Sequence, residues 1–136
     1  MPLYVDTSAF LAVLVGNDLN HARAREAWSQ ACDSREVLVC ANYVLLETLA
    51  LLQRRVGLDA VFAFEEDVLP LLRVHWVDER IHRAGMDALR TTRRRDVSLV
   101  DCVSFECMRL AGLKSAFAFD PHFREQGFEV VPLPDK

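Results

Sequence analysis

The stretch Leu3-Tyr-Val-Asp-Thr-Ser-Ala-Phe-Leu-Ala-Val-Leu-Val15 joins an apolar, β-prone run to a helical run through a single acidic residue. Leu3–Val5 has the length and composition of a buried strand, and this strand ends on Asp6. Thr7–Val15 then forms a helical stretch that the breaker Gly16-Asn-Asp18 ends. A buried strand that leads directly into a helix is typical of the opening of an α/β fold.

The same alternation continues along the chain. Further strands are predicted at Val37–Cys40, Leu72–Val77, Ala116–Phe119 and Phe128–Val131. Further helices are predicted at His21–Ala31, Asn42–Val56, Leu58–Leu69, from the cap Asp78 to Thr92, at Ser98–Ala111, and as a single turn after Asp120-Pro121. Because the strands are continuously apolar rather than alternating, they favour a parallel sheet covered on both faces. The predicted fold is a three-layer α/β/α sandwich with a central, mainly parallel sheet.

Length and composition bound the class of protein. The 136 residues suit one domain spanning 1–136, and the chain is 51% hydrophobic and 26% charged, as in ordinary globular proteins. The apolar run Ala9–Val15 is too short to cross a bilayer, and no basic segment precedes it, so we expect neither a membrane span nor a signal peptide. The expected compartment is the cytoplasm. The four cysteines form no C-x-x-C pair, and we expect buried free thiols.

Four acidic residues from distant parts of the chain are expected near one edge of this sheet. Ligands bind beyond the carboxyl ends of parallel strands, where the strand order reverses. Asp6 and Asp120 each follow a predicted strand directly. Asp101 lies in the first turn of a helix, and Glu47 lies in the second turn of the helix after the second strand.

Each acid also has a structural alternative. Asp6 and Asp120 stand where aspartate caps helices, and Ser98-x-x-Asp101 has the spacing of a capping box. Glu47 differs, because it interrupts the apolar run Val44–Leu52 with no Lys or Arg within one turn. A buried, unpaired carboxylate costs several kcal/mol. A cation shared with the other acids would supply the missing charge.

Several carboxylates without histidine favour hydrolysis assisted by a hard divalent cation. Mg²⁺ and Mn²⁺ prefer oxygen ligands, and one or two such ions activate water for attack on a phosphodiester. The hydroxyls of Thr7 and Ser8 lie close enough in sequence to contact a bound water or a phosphate oxygen. Capping of the helix that follows is the alternative role for both hydroxyls.

At these residues the chain resembles the PIN-domain ribonucleases, and among them the VapC-like toxins of toxin–antitoxin pairs. The matching segments are Val5-Asp-Thr-Ser-Ala9, Tyr43-Val-Leu-Leu-Glu47, Ser98-Leu-Val-Asp-Cys-Val-Ser-Phe105 and Phe119-Asp-Pro-His-Phe123 followed by Gly127-Phe128. Each motif is short and weak alone. Four of them in order within one small α/β domain are specific.

The resemblance implies a PIN-like fold, a site for Mg²⁺ or Mn²⁺, and cleavage of single-stranded regions of RNA. It implies that Asp6, Glu47, Asp101 and Asp120 are the acidic ligands. It places Thr7 and Ser8 at the family's hydroxyl position after the first acid. Relatives of this kind often form homodimers and are held inactive by an antitoxin protein, so the resemblance implies both partners here.

The overall charge of −4 does not indicate RNA binding, so any attraction to RNA must come from local basic patches. The run Arg93-Arg-Arg95 is the main candidate for phosphate contact, and a solvated charged face is the alternative. His122 is a candidate acid or base, with a packed or solvent-facing histidine as the alternative. Asp96 is a candidate auxiliary acid.

Three other functions compete with a toxin nuclease. A haloacid-dehalogenase type phosphatase needs a second Asp two residues after the first, and Ser8 occupies that position. A catalytically silent PIN-like module would bind without cleaving, although unused buried carboxylates would only cost stability. A housekeeping RNA-processing PIN nuclease would share the site and differ in its target.

Overall fold

The computed structural model describes residues 1–134 and contains a five-stranded sheet flanked by helices. The strands are β1 (Pro2–Val5), β2 (Val37–Ala41), β3 (Leu72–His75), β4 (Ser115–Phe117) and β5 (Glu129–Val131). They are arranged in the order β3-β2-β1-β4-β5, and every neighbouring pair is parallel. The predicted α/β class and parallel sheet are therefore confirmed.

The helices follow the predicted alternation. They are α1 (Thr7–Leu14), α2 (His21–Asp33), α3 (Asn42–Arg55), α4 (Leu58–Ala63), α5 (Glu79–Thr92), α6 (Leu99–Ala111) and the short α7 (His122–Glu125). Within residues 1–134, none of them is both long and apolar enough to cross a membrane.

The central strand β1 explains why the strand sequences are continuously apolar. Tyr4 and Val5 are fully buried, because β2 and β4 cover the two edges of β1 and helices cover its faces. The Tyr4 hydroxyl donates a hydrogen bond to Ser104 Oγ at 2.7 Å and accepts one from the Ala41 N–H at 3.3 Å. A tyrosine in the middle of the core is thereby satisfied, and it links β1 to β2 and to α6.

Three element boundaries differ from the prediction, two of them for identifiable physical reasons. The helix predicted over Leu58–Leu69 is regular only to Ala63, then widens into a π-helical segment at Phe64–Val68 and a 3₁₀ turn at Leu69–Leu71 that contains Pro70. The fourth strand ends at Phe117 rather than at Phe119, since the Phe119 N–H donates to Ser8 Oγ instead of continuing the ladder. The third strand ends at His75, two residues before the predicted end.

The cysteine prediction is correct for three residues and wrong for one. All four thiols are free, and Cys40, Cys102 and Cys107 are buried. Cys32 is exposed, because it lies in the last turn of α2, whose buried side consists of Ala24 and Ala31.

Helices α5 and α6 approach closely at a glycine. A Cβ atom added at Gly85 would lie 2.6 Å from Val103 Cγ2 and 3.3 Å from the Val103 backbone nitrogen. Val103 is fully buried and β-branched, so it has little freedom to move away. This contact fixes the separation of the two helices, and α6 carries Asp101.

We expect Gly85→Ala to lower the free energy of unfolding. Overpacking costs about 1–3 kcal/mol, and the higher helix propensity of alanine returns up to about 1 kcal/mol. The matched control is Gly16→Ala, because an added Cβ there meets nothing within 4 Å. Urea denaturation of the two variants measures the difference. Equal stability of both variants would show that α5 and α6 can move apart at Gly85 without lowering the free energy of unfolding.

Candidate metal centre

The candidate site lies at the carboxyl edge of the sheet, between β1 and β4. From β1 the chain order runs outward to β2 and β3 on one side and to β4 and β5 on the other. The connection therefore reverses at the β1–β4 pair, which is where α/β sheets open a crevice for ligands. Asp6 follows β1 directly, and Asp120 lies three residues after the end of β4.

Asp6 is both a helix cap and a member of a buried carboxylate cluster. Its side chain is almost fully buried, and Oδ2 accepts hydrogen bonds from the Ser8 N–H at 3.2 Å and from Ser8 Oγ at 2.7 Å. Burial raises the pKa of Asp6 to about 7. The bonds from Ser8 act in the opposite direction, while the charges of Asp101 and Asp120 raise the pKa further.

The two hydroxyls after Asp6 have different environments. Ser8 Oγ donates to Asp6 and accepts from the Phe119 N–H at 3.0 Å, so this hydroxyl links the end of β1 to the loop after β4. Thr7 Oγ1 is buried and has no hydrogen-bond partner in the described part of the chain. Ser8 therefore positions Asp6, and Thr7 keeps its hydroxyl available to a ligand.

Asp101 is fixed by the capping box that the sequence indicates. Its N–H donates to Ser98 Oγ at 3.1 Å, and its Oδ2 accepts from the Ser98 N–H at 3.1 Å. Burial raises the pKa of Asp101 to about 6, and the nearby charge of Asp120 adds to this effect. As with Asp6, the capping role is real and coexists with a place in the cluster.

His122 completes the cluster from the first turn of α7. Asp120 Oδ1 accepts from the His122 N–H at 2.8 Å, so a tight turn places the two side chains together. His122 Nδ1 lies 2.5 Å from Asp120 Oδ1 and 3.6 Å from Asp101 Oδ2. One ligand atom each from Asp101, Asp120 and His122 falls within 4.8 Å of the others, the one such group of histidine, cysteine and acidic residues found in residues 1–134.

Asp96 holds the opposite side of the imidazole. Its Oδ2 lies 3.2 Å from His122 Nε2, and Arg94 forms ion pairs of 2.8 Å with both Asp96 and Glu125. Hydrogen bonding from Arg94, and then from His122, holds the pKa of Asp96 well below its usual range. Burial acts to lower the pKa of His122, but the bond to Asp96 and the surrounding carboxylates outweigh it and raise the pKa.

Glu47 does not join this group. It is half-buried on α3 and, like Asp6, it lies outside the set of close ligand atoms that Asp101, Asp120 and His122 form in residues 1–134. Asp6 nevertheless lies close enough for the charges of Asp101 and Asp120 to raise its pKa. The apolar run Val44–Leu52 leads us to expect a buried Glu47, but one side of this run is open to solvent, since Leu46 is 71% exposed and Ala50 is also exposed. The solvent-exposed side of α3 leaves Glu47 partly hydrated. Its presence in this helix therefore does not require a neighbouring positive charge.

The arginine run divides into two kinds of side chain. Arg93 ends α5 in the left-handed region at φ 52°, and its side chain is exposed. Arg94 is committed to Asp96 and Glu125. Arg95 is exposed, and in residues 1–134 neither its side chain nor that of Arg93 makes a hydrogen bond or an ion pair. Only the outer two arginines are free to meet phosphate.

The residues at this edge fit a divalent cation. Asp6 and Asp101 have raised pKa values because they are buried beside other carboxylates, an arrangement that a shared positive charge stabilises. The hydroxyl of Thr7 and Nδ1 of His122 are buried and have no hydrogen-bond partner within residues 1–134. These groups supply oxygen donors and one nitrogen donor. His122 is the member that the sequence indicates most weakly, since its only signal is the two-residue spacing from Asp120.

Comparison with known proteins gives a consistent result. The sequence profile described as PIN domain matches residues 3–129. The chain is 35% identical to the 23S rRNA-specific endonuclease VapC20 of Mycobacterium tuberculosis, over 96% of this chain and 98% of the relative. The crystal structure of that VapC20, described as a sarcin-ricin loop cleaving toxin, superposes with a TM-score of 0.82 at 34% identity, covering 93% of this chain and 95% of VapC20.

More distant structures share the fold. FitAcB from Neisseria gonorrhoeae has a TM-score of 0.67 at 17% identity, with 94% of this chain and 95% of that chain covered. DNA-bound VapBC from Salmonella typhimurium has a TM-score of 0.68 at 13% identity, with 96% of each chain covered.

We expect the metal-free protein to lose stability as the pH rises through the range in which Asp6 ionises. The folded chain holds the Asp6 proton up to about pH 7, whereas an aspartate in the unfolded chain has an ordinary pKa of 3.8, so the free energy of unfolding falls between these values. Asp6→Asn removes this contribution and keeps a capping side chain. Urea denaturation in EDTA at pH 5 and pH 8 measures the difference.

The variant should show a smaller loss of stability from pH 5 to pH 8 than the wild-type chain, with Asp101 responsible for a remaining part. A matched Asp87→Asn change, at a side chain 76% exposed, should leave the wild-type pH dependence in place. The same pH dependence in Asp6→Asn and wild type would show that Asp6 is not a buried, repelled carboxylate.

Proposed function

We propose that this chain, which belongs to the PIN-domain family of nucleases, is a divalent-cation-dependent endoribonuclease and the toxin of a toxin–antitoxin pair. The observation that carries the proposal is the end-to-end similarity to an RNA-cleaving toxin, at 35% identity over 96% of the chain. The carboxylate cluster between β1 and β4 supports it independently, because its chemistry suits a metal nuclease.

In this proposal Asp6, Asp101 and Asp120 bind the cation, which is Mg²⁺ or Mn²⁺. A cation held there activates water for attack on phosphorus and offsets the negative charge of the phosphodiester. The Thr7 hydroxyl, which is buried and has no partner among the described residues, is available to donate to a phosphate oxygen or to the attacking water. Ser8 holds Asp6 against the loop after β4. Glu47 is proposed as the fourth acid.

The substrate is proposed to be RNA, cleaved at exposed, unpaired positions. The similar VapC20 is named for 23S rRNA, and its crystal structure is described as that of a toxin cleaving the sarcin-ricin loop. We propose 23S rRNA as the first RNA to test here, which places the action of the protein with ribosomes in the cytoplasm. Arg93 and Arg95 are the proposed phosphate contacts, and Arg94 acts through Asp96.

The proposed partners are an antitoxin protein and a second copy of the chain. A toxin nuclease in a living cell requires an inhibitor, and the similarity to a toxin supports one. Two functions remain as alternatives: a housekeeping RNA-processing nuclease, which shares the site, and a catalytically silent PIN-like binding module, which would not cleave. A cleavage assay separates the silent module from the nucleases.

We expect the purified chain to cleave 23S rRNA in the presence of Mg²⁺ or Mn²⁺ and not in EDTA. Asp6→Asn and Asp101→Asn should each reduce cleavage by more than the roughly 10–100-fold that loss of an outer-sphere partner costs a metal site. Asp87→Asn, an exposed acid that pairs with Arg90, is the matched control and should cleave like the wild type. Primer extension on intact ribosomes and on free RNAs locates the cuts.

Each other outcome has a definite meaning. Cleavage that persists in both cluster variants would point to a contaminating nuclease or to a different site. Cleavage of other RNAs but not of 23S rRNA would keep the nuclease and reject this substrate. Absence of cleavage of every RNA, with no metal-dependent stabilisation, would favour the silent binding module.

We expect Arg95→Ala to weaken RNA binding without changing metal affinity, because its guanidinium is exposed and close to the cluster in sequence. The slope of log affinity against log salt is negative, and loss of one phosphate contact should make it less negative by about 1. Arg83→Ala, an exposed arginine paired with Glu79, is the control and should leave the slope unchanged. A slope unaltered by Arg95→Ala would remove this residue from the RNA path.

A further inference from the structure

We propose that His122 binds the cation through Nδ1, together with Asp101 and Asp120, and that this nitrogen ligand makes the site prefer Mn²⁺ to Mg²⁺. The inference rests on the proposed function, since it concerns the same metal site. It goes beyond that function by adding a ligand that is not an acid and by predicting which ion the site selects.

The first argument is the position of the imidazole. His122 is 7% exposed, and its Nδ1 lies 2.5 Å from Asp120 Oδ1 and 3.6 Å from Asp101 Oδ2, in one group of potential ligand atoms within 4.8 Å of one another. Neither contact has the geometry of a hydrogen bond, so Nδ1 is a buried polar atom without a partner in the described chain. Buried nitrogen atoms without partners are rare, and each calls for an explanation.

The second argument is the opposite nitrogen. Nε2 lies 3.2 Å from Asp96 Oδ2, within reach for donating its proton to that carboxylate. With the proton on Nε2, the unprotonated Nδ1 lies beside two carboxylate oxygens, an arrangement that is repulsive unless a positive charge lies among the three atoms. A metal ion supplies that charge, and it competes with a proton for the same nitrogen.

The third argument is the network behind the imidazole. Metal-binding histidines commonly donate their other N–H to a carboxylate, which fixes the ring and increases its basicity. Here Asp96 takes that role, and Arg94 ties it to Glu125 on α7, the helix that carries His122. Arg94 thereby holds Asp96 against the same short helix that presents Nδ1 to the acids.

The preference for Mn²⁺ follows from the donor set. Mg²⁺ is a hard ion that favours oxygen ligands, whereas imidazole nitrogen suits transition metals. A site made of carboxylates alone has little reason to prefer one ion strongly. Replacing one oxygen donor by an imidazole shifts the balance toward Mn²⁺.

The deciding measurement is pulsed EPR of Mn²⁺ bound to the purified wild-type chain, with Mn²⁺ and Mg²⁺ affinities measured by calorimetry. A directly bound imidazole gives a ¹⁴N coupling to the manganese, which does not depend on catalytic activity. We expect this coupling in the wild type and its loss in His122→Asp. We also expect His122→Asp to lower the ratio of Mn²⁺ to Mg²⁺ affinity about tenfold, the lower end of the effect of ligand-sphere changes.

The control is His82→Gln, which alters a histidine on α5 that contacts Tyr43 and is not one of the clustered ligands. It should keep both the ¹⁴N coupling and the affinity ratio. The wild-type spectrum tests the ligand on its own, so the proposal stays falsifiable even if a His122 variant fails to fold.

Three outcomes would overturn the proposal. Bound Mn²⁺ without ¹⁴N coupling in the wild type would show a site made of oxygen ligands, which leaves the proposed nuclease intact. A coupling that survives His122→Asp would assign the nitrogen to another residue. Failure of the wild type to bind Mn²⁺ at all would remove the ligand and also the metal-dependent function.

Asp96→Asn tests whether the network positions the ligand. We expect Mn²⁺ affinity to fall about tenfold or more, because outer-sphere carboxylates orient metal-binding histidines. The ¹⁴N coupling should persist with a changed magnitude, which a purely structural role would not produce. Unchanged Mn²⁺ affinity and coupling would show that the pair of Asp96 and His122 is only a surface contact, and would remove the positioning role.

Discussion

The burial of neighbouring carboxylates at the β1–β4 crevice is the constraint on which the site depends. Asp6 and Asp101 lie almost out of water, and the charges of neighbouring carboxylates raise the pKa of both. Such a cluster persists in a folded chain only if hydrogen bonds, protonation or a bound positive charge offsets the cost. The Ser8 and Ser98 bonds provide part of that offset, and a cation would provide the remainder. Under the proposed function, a bound cation would therefore make the site more stable than it is without one.

The parallel sheet brings these side chains close together, although they are far apart in the sequence. Asp6, Asp101 and Asp120 are separated by long stretches of chain, and the reversal of strand order between β1 and β4 brings them together. The Ser8 hydroxyl then joins the two strand ends by bonding to Asp6 and to the Phe119 N–H. The close contact of α5 with α6 at Gly85 sets the distance between these two helices, and α6 carries Asp101. Helix packing at a distance from the carboxylates thus helps to determine the geometry of the candidate site.

The sequence predicts the fold, and the position of three of the acids near the carboxyl edge of the sheet, for local reasons. Apolar runs and helix caps are short-range signals, so β1, the capping box at Ser98 and the carboxyl-edge position of Asp6 can be derived from a few residues each. The environment of Glu47 could not be derived, because it depends on which side of α3 other elements cover. The role of His122 was equally hidden. Nothing in the sequence shows that Asp96, held by Arg94, faces the second nitrogen of its ring.

A common feature separates the clustered residues from Glu47. Asp6, Asp101 and Asp120 each accept a hydrogen bond from a backbone N–H two or three residues away, so their carboxylates are oriented before any ligand arrives. Glu47 lies within α3, where backbone N–H groups are engaged in the helix, and its side chain makes no hydrogen bond or ion pair within the described residues. A cation bound by the oriented groups would be the only attraction drawing Glu47 inward. These backbone bonds therefore orient three of the acids before any ligand arrives, and under the proposed function Glu47 would have to move toward a bound cation.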